Sequence, residues 1–426
     1  MIVITSEYLD KSWDLLNANS VLPTQFSEWD DGDAYTLAEI GNLPSKKIVG
    51  GVIMLQDDVA QDYQIVIKLK QELESEKASI YQSPNGIKYE VSAKYKKDGV
   101  FEVMDVRVEN VSENISRRRH GVLETNLLKY KTVLIVGLGT GGIAVALELA
   151  KAGVGGFILI DHDRLEVGNV ARHSAGISFV GRKKVAVAKD LIQEIDPSID
   201  VEIHAAIADY DNNALVQNAV EKSDLVICAT DNRPSKLFIN SICVEMNKTA
   251  LFGGAFRRAY GGQVIRVKPH QSACYHCFVI SMPENEADRE ISSQEDAESI
   301  AYSDVPVPIE PGLSMDVAPI SLMVSKLALQ ELITDKESTL HILDQDFEAG
   351  WYLWINRPEP NTQYASLPPL SHSADEEMTI LRWYGVELSK EKFCHTCGDF
   401  VGGLIEKYKL EPRSGSLPTH SGFTKS

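Results

Sequence analysis

Residues 131–153, KTVLIVGLGTGGIAVALELAKAG, constrain the fold more than any other stretch of the sequence. The apolar run VLIV predicts a buried strand, and glycines in a GxGxxG spacing follow it directly. The apolar residues after the glycines recur with helical periodicity until Gly153, a residue type that commonly ends helices. A strand, a glycine turn and a helix in this order predict the first unit of an α/β fold.

The following residues continue this alternation of strands and helices. Strands are predicted in GFILIDHD, VEIHAAI, SDLVICATD and ALFGGAF, and an amphipathic helix is predicted in GRKKVAVAKDLIQEI. Such alternation predicts a doubly wound, mostly parallel sheet that is covered on both faces. HILDQDF and GWYLWIN predict a late antiparallel pair, and the helix ISLMVSKLALQELI is expected to pack back on the sheet. The predicted fold class is therefore α/β.

Changes in composition divide the chain into three predicted regions. Residues 1–115 are expected to form a smaller α+β accessory or docking domain, with a helix in VAQDYQIVIKLKQELESEKASIYQ and later strands joined by the turn KKDG. Residues 116–410 are the doubly wound domain, in which residues 279–317 form a polar and then proline-rich crossover segment. Residues 411–426 lack apolar periodicity and predict a flexible tail.

The glycine motif predicts a nucleotide site. Gly137 permits the tight turn, Gly139 lets the backbone approach a phosphate, and Gly142 lets the helix pack against the strand. The N-terminus of the helix then directs N–H groups at the anion. Asp161 follows Gly142 by 19 residues and ends the next predicted strand, where an acidic residue binds ribose hydroxyls.

Further polar residues exceed what nicotinamide binding needs, namely Asp163, Asn169, Arg172, Lys184 and Asp231. Arg172 and Lys184 suit neutralisation of phosphates and of the charge that develops at an α-phosphorus. Asp231 suits magnesium, which prefers carboxylate and phosphate oxygens. Taken singly, Lys184 is also typical of a solvated helix and Arg172 of a surface ion pair. Together these residues indicate transfer chemistry on a triphosphate.

Charge and hydropathy exclude some classes of partner. The net charge of −19, from 42 basic and 61 acidic residues, disfavours nucleic acid, and the one dense basic run, residues 117–119, is too short to follow a duplex. No uncharged run reaches the roughly 20 apolar residues of a membrane span. The N-terminus is apolar over too few residues for a secretory signal. A cytoplasmic location without membrane contact is therefore expected.

Four of the six cysteines form two CxxC pairs, Cys274 with Cys277 and Cys394 with Cys397. In a chain without a secretory signal, this spacing favours a metal over disulfides. Four thiolates satisfy tetrahedral zinc (Zn2+), and such a closed shell is structural. The zinc is expected to link the end of the chain to the edge of the nucleotide domain.

The ordered motifs GLGTGG, IDHDRLEVGNVARH, VGRKKVAVAK, CATDN, GGAF, CYHC and CHTC lie between about residues 117 and 400. This set resembles the ThiF-like adenylyltransferases, the family that includes ubiquitin-activating enzymes and activators of sulfur-carrier proteins. The resemblance implies a Rossmann-like adenylation domain that consumes ATP with magnesium (Mg2+) and releases pyrophosphate. It further implies that the C-terminal glycine carboxylate of a ubiquitin-like or sulfur-carrier protein is adenylated. The first 115 residues are not covered.

The resemblance also implies roles for individual residues. The three glycines and Asp161 would hold the nucleotide, Asp231 the magnesium, and the phosphates would be contacted by Asn169, Arg172 and Lys184. In the family, an arginine ahead of the first strand reaches the ATP of the other subunit, which implies a homodimer. The candidates are Arg117, Arg118 and Arg119. A solvated basic linker is the alternative for that run.

Two positions depart from the family pattern. Lys236 stands where an arginine is frequent and keeps the charge without the planar fork. His173 stands where glutamine is usual. Both changes are expected to alter contacts to the substrate tail without removing the chemistry.

The crossover offers no nucleophile for a thioester, because residues 278–316 contain no cysteine. Cys228 and Cys243 lie in apolar patterns and are expected in the core. Two explanations stay open. The enzyme hands its acyl-adenylate directly to a partner thiol or amine, or one of three residues replaces an original cysteine, namely Ala297, Ala301 or Ser303.

The leading hypothesis is activation of a ubiquitin-like protein, with a conjugating enzyme as a further partner. The acidic crossover and the extra N-terminal domain favour a bacterial ubiquitin-like conjugation system. The alternatives are adenylation of a peptide, a sulfur-carrier protein or a modified transfer RNA. An NAD-dependent oxidoreductase is also compatible with the fold, but it leaves Arg172, Lys184 and Asp231 without a role. The last alternative is a degenerate family member that acts only as a docking subunit.

Overall fold

The structure is a computed structural model that describes residues 1–28, 35–37, 47–55, 62–71, 79–110, 123–282, 312–372 and 377–408. The chain forms two compact units. The first comprises Met1–Thr125 and Ile192–Ser198, and the second comprises Asn126–Leu191 and Ile199–Ser426. The predicted boundary at residue 115, the arginines at 117–119 and the predicted tail lie outside the described residues.

The first unit is built on a mixed sheet with two short helices. Its helices are α1 (Ser6–Lys11) and α2 (Trp13–Asn19). Its strands are β1 (Ile2–Thr5), β2 (Val21–Glu28), β3 (Tyr35–Leu37), β4 (Lys47–Met54), β5 (Ile65–Lys70), β6 (Ser79–Gln82), β7 (Lys88–Lys97), β8 (Val100–Met104) and β9 (Val106–Glu109). The strand order is β6-β7-β5-β4-β2-β3-β1-β9, and β8 pairs with β7. Trp13 and Leu16 of α2 are buried with sheet residues such as Ile4 and Phe26.

The turn predicted in KKDG is confirmed, because β7 and β8 form an antiparallel hairpin around it. Asp98 and Gly99 have φ angles of +50° and +84°. A tight two-residue hairpin needs positive φ at both central residues, which aspartate tolerates and glycine adopts freely.

The helix predicted over residues 59–82 is wrong where the structure describes it. Ile65–Lys70 is β5, which pairs in parallel with β4 and antiparallel with β7. Its IVI run is β-branched and therefore packs well on a pleated surface, and Ile65 and Ile67 are fully buried there. Backbone partners from distant parts of the chain decided the local structure.

The second unit contains the predicted doubly wound sheet. Its strands are β10 (Thr132–Val136), β11 (Gly156–Ile160), β12 (Asp200–His204), β13 (Leu225–Cys228), β14 (Ala250–Ala255), β15 (Gly261–Val267), β16 (Trp351–Ile355) and β17 (Arg382–Val386). Their order is β12-β11-β10-β13-β14-β15-β16-β17. The first five in this order are parallel, and β15, β16 and β17 extend the sheet antiparallel. The predicted α/β class with late antiparallel strands is confirmed.

The helices of the second unit follow the predicted alternation. They are α3 (Thr140–Ala152), α4 (Lys184–Ile195), α5 (Asn213–Lys222), α6 (Arg233–Glu245), α7 (Tyr275–Ser281), α8 (Ser314–Ile333) and α9 (Phe400–Tyr408). Residues 184–191 of α4 belong to this unit, and the last four residues of α4 are assigned to the first unit. Residues 283–311 of the predicted crossover lie outside the described residues, and so do Ala297, Ala301 and Ser303. Among the described residues, no helix combines the length and the apolarity needed to span a bilayer.

The late strand predicted in HILDQDF is wrong. Thr339–Leu343 is a 3-10 helix, and the hydroxyl of Ser338 caps it by accepting from the N–H of Leu340. β16 pairs instead with β15 and β17, and β15 was not predicted as a separate strand. The pairing joins segments that lie far apart in sequence, so local periodicity carried no signal for it.

Candidate active site

A cavity of about 270 Å³ lies where the order of the parallel strands reverses. Of the strands in this sheet, β10 comes first in sequence. β11 and then β12 follow on one side of it, and β13 and then β14 follow on the other side. The crevice at such a reversal is where open α/β sheets bind ligands. The cavity wall collects seven of the predicted site residues: Gly137, Gly139, Asp161, Asp163, Arg172, Lys184 and Asp231.

The three glycines of the loop differ in what surrounds them. Gly137 has φ of +90°, and a Cβ there would lie 2.9 Å from the backbone of Ala229. A Cβ on Gly142 would lie 1.9 Å from the carbonyl oxygen of Gly137. Gly142 does not line the cavity. It lies where helix α3 packs against the glycine turn. Gly139 begins α3 as its N-cap, and a Cβ there would have nothing within 4 Å.

This contrast gives a prediction about stability. Gly142→Ala is expected to lower the free energy of unfolding by about 3 kcal/mol or more, because its methyl group meets backbone atoms that cannot move aside. Gly139→Ala, the matched control, is expected to stay within about 1 kcal/mol of the wild type, since only the N-cap preference changes. Urea unfolding of both variants measures the difference. Equal stabilities of the two variants would contradict the role of Gly142 in packing helix α3 against the glycine turn.

Asp161 supports the glycine loop as well as lining the cavity. One carboxylate oxygen accepts from the N–H of Leu138 at 2.6 Å, and the other accepts from the N–H of Asp163 at 2.8 Å. The side chain is almost fully buried. Each carboxylate oxygen can accept a second hydrogen bond, so ribose hydroxyls remain acceptable partners.

Lys184 and Asp163 form an ion pair at the cavity wall. Lys184 is the first residue of α4, and its Nζ lies 2.7 Å from Oδ2 of Asp163. Partial burial acts to raise the pKa of Asp163, but the hydrogen bond and the charge of Lys184 outweigh it, and the net pKa is lowered. The carboxylate therefore stays ionised and holds the ammonium group at the site.

Arg172 and Asp231 face the same cavity. Arg172 is half-buried, and no carboxylate of the described chain lies within ion-pair distance of it. Asp231 is exposed at the wall, and the next residue, Asn232, caps α6 by accepting from the N–H of Ser235 at 2.9 Å. The cap fixes the turn that presents Asp231.

Asn169 is not part of the cavity wall. Its side-chain oxygen accepts from the N–H of Glu166 at 3.1 Å, in a capping box that closes the 3-10 helix Val167–Asn169. The amide is thus engaged in local structure. A phosphate would accept from the N–H groups of this amide rather than from its oxygen, and the predicted contact stays a prediction.

His173 holds the glycine loop instead of facing the cavity. Its Nδ1 accepts from the N–H of Ala175 at 3.0 Å, so Nε2 carries the proton and donates to the carbonyl oxygen of Leu138 at 3.1 Å. Burial lowers the pKa of His173, which keeps the ring neutral. A neutral imidazole offers one donor and one acceptor, and both are used in these two hydrogen bonds. The predicted effect of His173 on contacts to the substrate tail stays a prediction.

Several wall residues were not among the predicted site residues. Lys236 is 1% exposed and lines the cavity, with its ammonium group 6.0 Å from the ring of Tyr275. Helix α8 contributes a further side of the wall through Val317, Ile320, Ser321 and Val324. The sequence identified α8 as a helix, but its distance along the chain from the glycine loop hid its place in the site.

The two CxxC pairs meet in a single cluster. The Sγ–Sγ distances are 3.9 Å for Cys274–Cys277, 3.6 Å for Cys274–Cys394 and 3.4 Å for Cys277–Cys397. A tetrahedron with Zn–S bonds of about 2.3 Å has edges of about 3.8 Å, whereas a disulfide needs about 2.05 Å. The four thiols therefore fit a zinc ion.

Backbone groups complete the surroundings of this cluster. The N–H groups of Glu391 and Thr396 each lie 3.4 Å from a cysteine sulfur and donate to it. Such donors stabilise thiolate ligands of a metal. His276 bonds the hydroxyl of Thr396 at 3.1 Å and its ring packs against His395, so neither histidine belongs to the group of four thiols that could bind the metal.

The chain is similar to several known proteins, of which three are described. Ubiquitin-like modifier-activating enzyme 5 of Caenorhabditis elegans is 30% identical over 175 residues, which cover 39% of this chain and 42% of that protein. Adenylyltransferase and sulfurtransferase MOCS3 of Culex quinquefasciatus is 30% identical over 190 residues, covering 44% and 42%. The crystal structure of E. coli MccB with ATP has a TM-score of 0.45 and 18% identity, covering 64% of this chain and 68% of that one.

The chain spans about half the length of the curated relatives it matches. A model of the ThiF family matches residues 111–348, which is more than half of this chain. The matched segment contains every predicted residue of the cavity wall and the first CxxC pair. The resemblance seen in the motifs is thereby confirmed, and the chain belongs to the ThiF family.

Proposed function

We propose that this protein is an adenylyltransferase that uses ATP to activate the C-terminal glycine carboxylate of a ubiquitin-like protein. One observation carries the proposal. A cavity at the reversal point of the sheet is lined by the glycine loop, by the cations Arg172, Lys184 and Lys236, and by three aspartates. Binding of a nicotinamide nucleotide alone would not call for Arg172 and Lys184 beside the same loop.

The geometry supports a direct displacement at the α-phosphorus. The N-terminus of α3 offers N–H groups to a phosphate, and Asp161 is placed for the ribose. A carboxylate oxygen of the acceptor forms a bond to the α-phosphorus, and the bond from that phosphorus to the bridging oxygen breaks. Pyrophosphate leaves with that oxygen, and Arg172 and Lys184 stabilise the charge that develops.

Magnesium belongs to the proposal as a bound cofactor. Asp231 would hold it, since its exposed carboxylate lies in the cavity wall. Bound there, the ion would supply positive charge for the phosphate oxygens of ATP. Zinc in the four-cysteine cluster would have a structural role, because no ligand position is left for a substrate.

The cysteines support direct transfer of the acyl group to a partner. Cys228 and Cys243 are fully buried, and burial raises the pKa of the Cys243 thiol. The other four cysteines belong to the zinc-compatible cluster. All six cysteines of the chain are thus engaged or enclosed, so the acyl-adenylate would pass to a thiol or amine of another protein, such as a conjugating enzyme.

The identity of the acceptor rests on similarity. The relative named ubiquitin-like modifier-activating enzyme 5 favours a ubiquitin-like protein. The relative named adenylyltransferase and sulfurtransferase MOCS3 favours a sulfur-carrier protein as the second candidate. The charge of −19 disfavours the transfer RNA alternative. The proposal includes a cytoplasmic homodimer, in which an arginine at 117–119 reaches the partner's site.

The test is ATP–pyrophosphate exchange. The purified protein is incubated with ATP, magnesium, labelled pyrophosphate and a small protein that ends in Gly-Gly. Exchange is expected only with that protein, and it is expected to vanish when the two terminal glycines are deleted. Absence of exchange with ubiquitin-like and sulfur-carrier candidates, together with NAD in the purified sample, would refute the proposal.

A further inference from the structure

Ser321 carries a buried hydroxyl that no group of the described residues satisfies. The residue lies in α8, is 3% exposed and lines the cavity. Its Oγ has no hydrogen-bond partner in the structure. Buried polar groups in native proteins are nearly always paired, so an unpaired hydroxyl at a cavity wall points to a ligand.

The helix itself does not use this hydroxyl. Serine side chains inside helices commonly donate to the carbonyl oxygen four residues earlier. Ser325 does so, with its Oγ 2.8 Å from the carbonyl oxygen of Ser321. Ser321 makes no such bond to Val317. Two serines one turn apart on the same helix therefore differ, and the unbonded one belongs to the cavity wall.

The neighbourhood of Ser321 selects an anionic partner. A Cβ built on Gly141 would lie 3.6 Å from Oγ of Ser321, so the hydroxyl stands beside the first turn of α3. The first N–H groups of a helix attract anions. Arg172 and Lys184 line the same cavity and add positive charge. The other α8 residues of the wall are apolar and offer no donor.

We propose that Ser321 donates a hydrogen bond to a phosphate oxygen of the bound nucleotide at the N-terminus of α3. This inference rests on the proposed function, because it assumes that ATP occupies the cavity. It assigns a nucleotide contact to a helix that follows the crossover. Backbone N–H groups of α3 and the hydroxyl of Ser321 in α8 would then both donate hydrogen bonds to the phosphates.

The experiment compares Ser321→Ala with Ser325→Ala in the full-length protein. Calorimetric titrations give the Kd for ATP, AMP and adenosine. Ser321→Ala is expected to weaken ATP binding by about 10-fold, the usual effect of one hydrogen bond to a charged group. Its affinity for adenosine is expected to remain within twofold of the wild type. Ser325→Ala removes a hydroxyl that is bonded within the helix, and it is expected to bind all three compounds normally.

Comparison of ATP, AMP and adenosine also identifies which phosphate group accepts the hydrogen bond from Ser321. A loss shared by ATP and AMP assigns the bond to the α-phosphate, and a loss confined to ATP assigns it to the β- or γ-phosphate. Unchanged ATP affinity in Ser321→Ala, an equal loss for adenosine, or an equal loss in Ser325→Ala would each overturn the inference. Failure of the wild-type protein to bind ATP would instead reject the proposed function, and the two failures are thus distinguishable.

Discussion

Arg172→Ala is expected to reduce the rate of ATP–pyrophosphate exchange by about 100- to 1,000-fold, the usual cost of removing one group that stabilises developing charge. Arg172 is half-buried in the cavity wall, and no carboxylate of the described residues neutralises it. Its charge is therefore available to phosphate oxygens. Initial rates at saturating ATP and acceptor measure the effect.

Two further variants make this result specific. Arg182 is an exposed arginine outside the cavity wall that pairs with Asp190 at 2.7 Å, and Arg182→Ala is expected to stay within twofold of the wild type. Arg172→Lys keeps the charge but loses the planar fork, so a rate between those of the wild type and Arg172→Ala is expected. Exchange by Arg172→Ala within threefold of the wild type would remove Arg172 from the proposed mechanism.

Loss of one thiol from the four-cysteine cluster is expected to remove zinc and to destabilise the protein strongly. The wild type is expected to carry one zinc per chain by elemental analysis, and Cys394→Ser is expected to carry less than a tenth of that. Structural zinc contributes directly to folding free energy, so the melting temperature is expected to fall by about 10 °C. Cys394 is fully buried and lies 3.6 Å from Cys274, so a serine there leaves three thiolates around the metal.

The control is His276→Ala, which alters a residue between the first two thiols. His276 bonds Thr396 and does not belong to the group of four thiols, so this variant is expected to retain its zinc. A wild-type protein without zinc, or full zinc content in Cys394→Ser, would disprove the proposed metal site.

Features that depend on neighbouring residues were predicted well from the sequence. The strand, turn and helix at residues 131–153 follow from local periodicity and from the glycine spacing. The meeting of Asp161 and Asp231 near the same loop follows because parallel strands end at one edge of the sheet. These relations need no knowledge of long-range contacts.

Features that depend on distant partners were not predicted. The segment that forms β5 was predicted to be a helix. It is a strand because it pairs with β4 and β7, and its own sequence does not show these partners. β15 was also missed, although it pairs with the adjacent strand β14 as well as with β16, which lies far along the chain. The sequence did not identify Ser321 as a site residue, because serines are common in apolar helices. Only the position of α8 beside α3 shows that the Ser321 hydroxyl faces the cavity. Asn169 was predicted to contact phosphate, but the sequence could not tell that its side-chain oxygen closes a local cap away from the cavity wall.

The cysteine cluster has a consequence for biosynthesis. Cys274 and Cys394 are 120 positions apart, and residues Trp351–Ile355 and Arg382–Val386, which complete the sheet, lie between them. A ribosome must therefore translate the second CxxC motif and release it from the exit tunnel before all four thiols can meet. A nascent chain that ends between Cys277 and Cys394 holds only two of the four thiols, so the four-thiol site can be completed only as a late step of maturation.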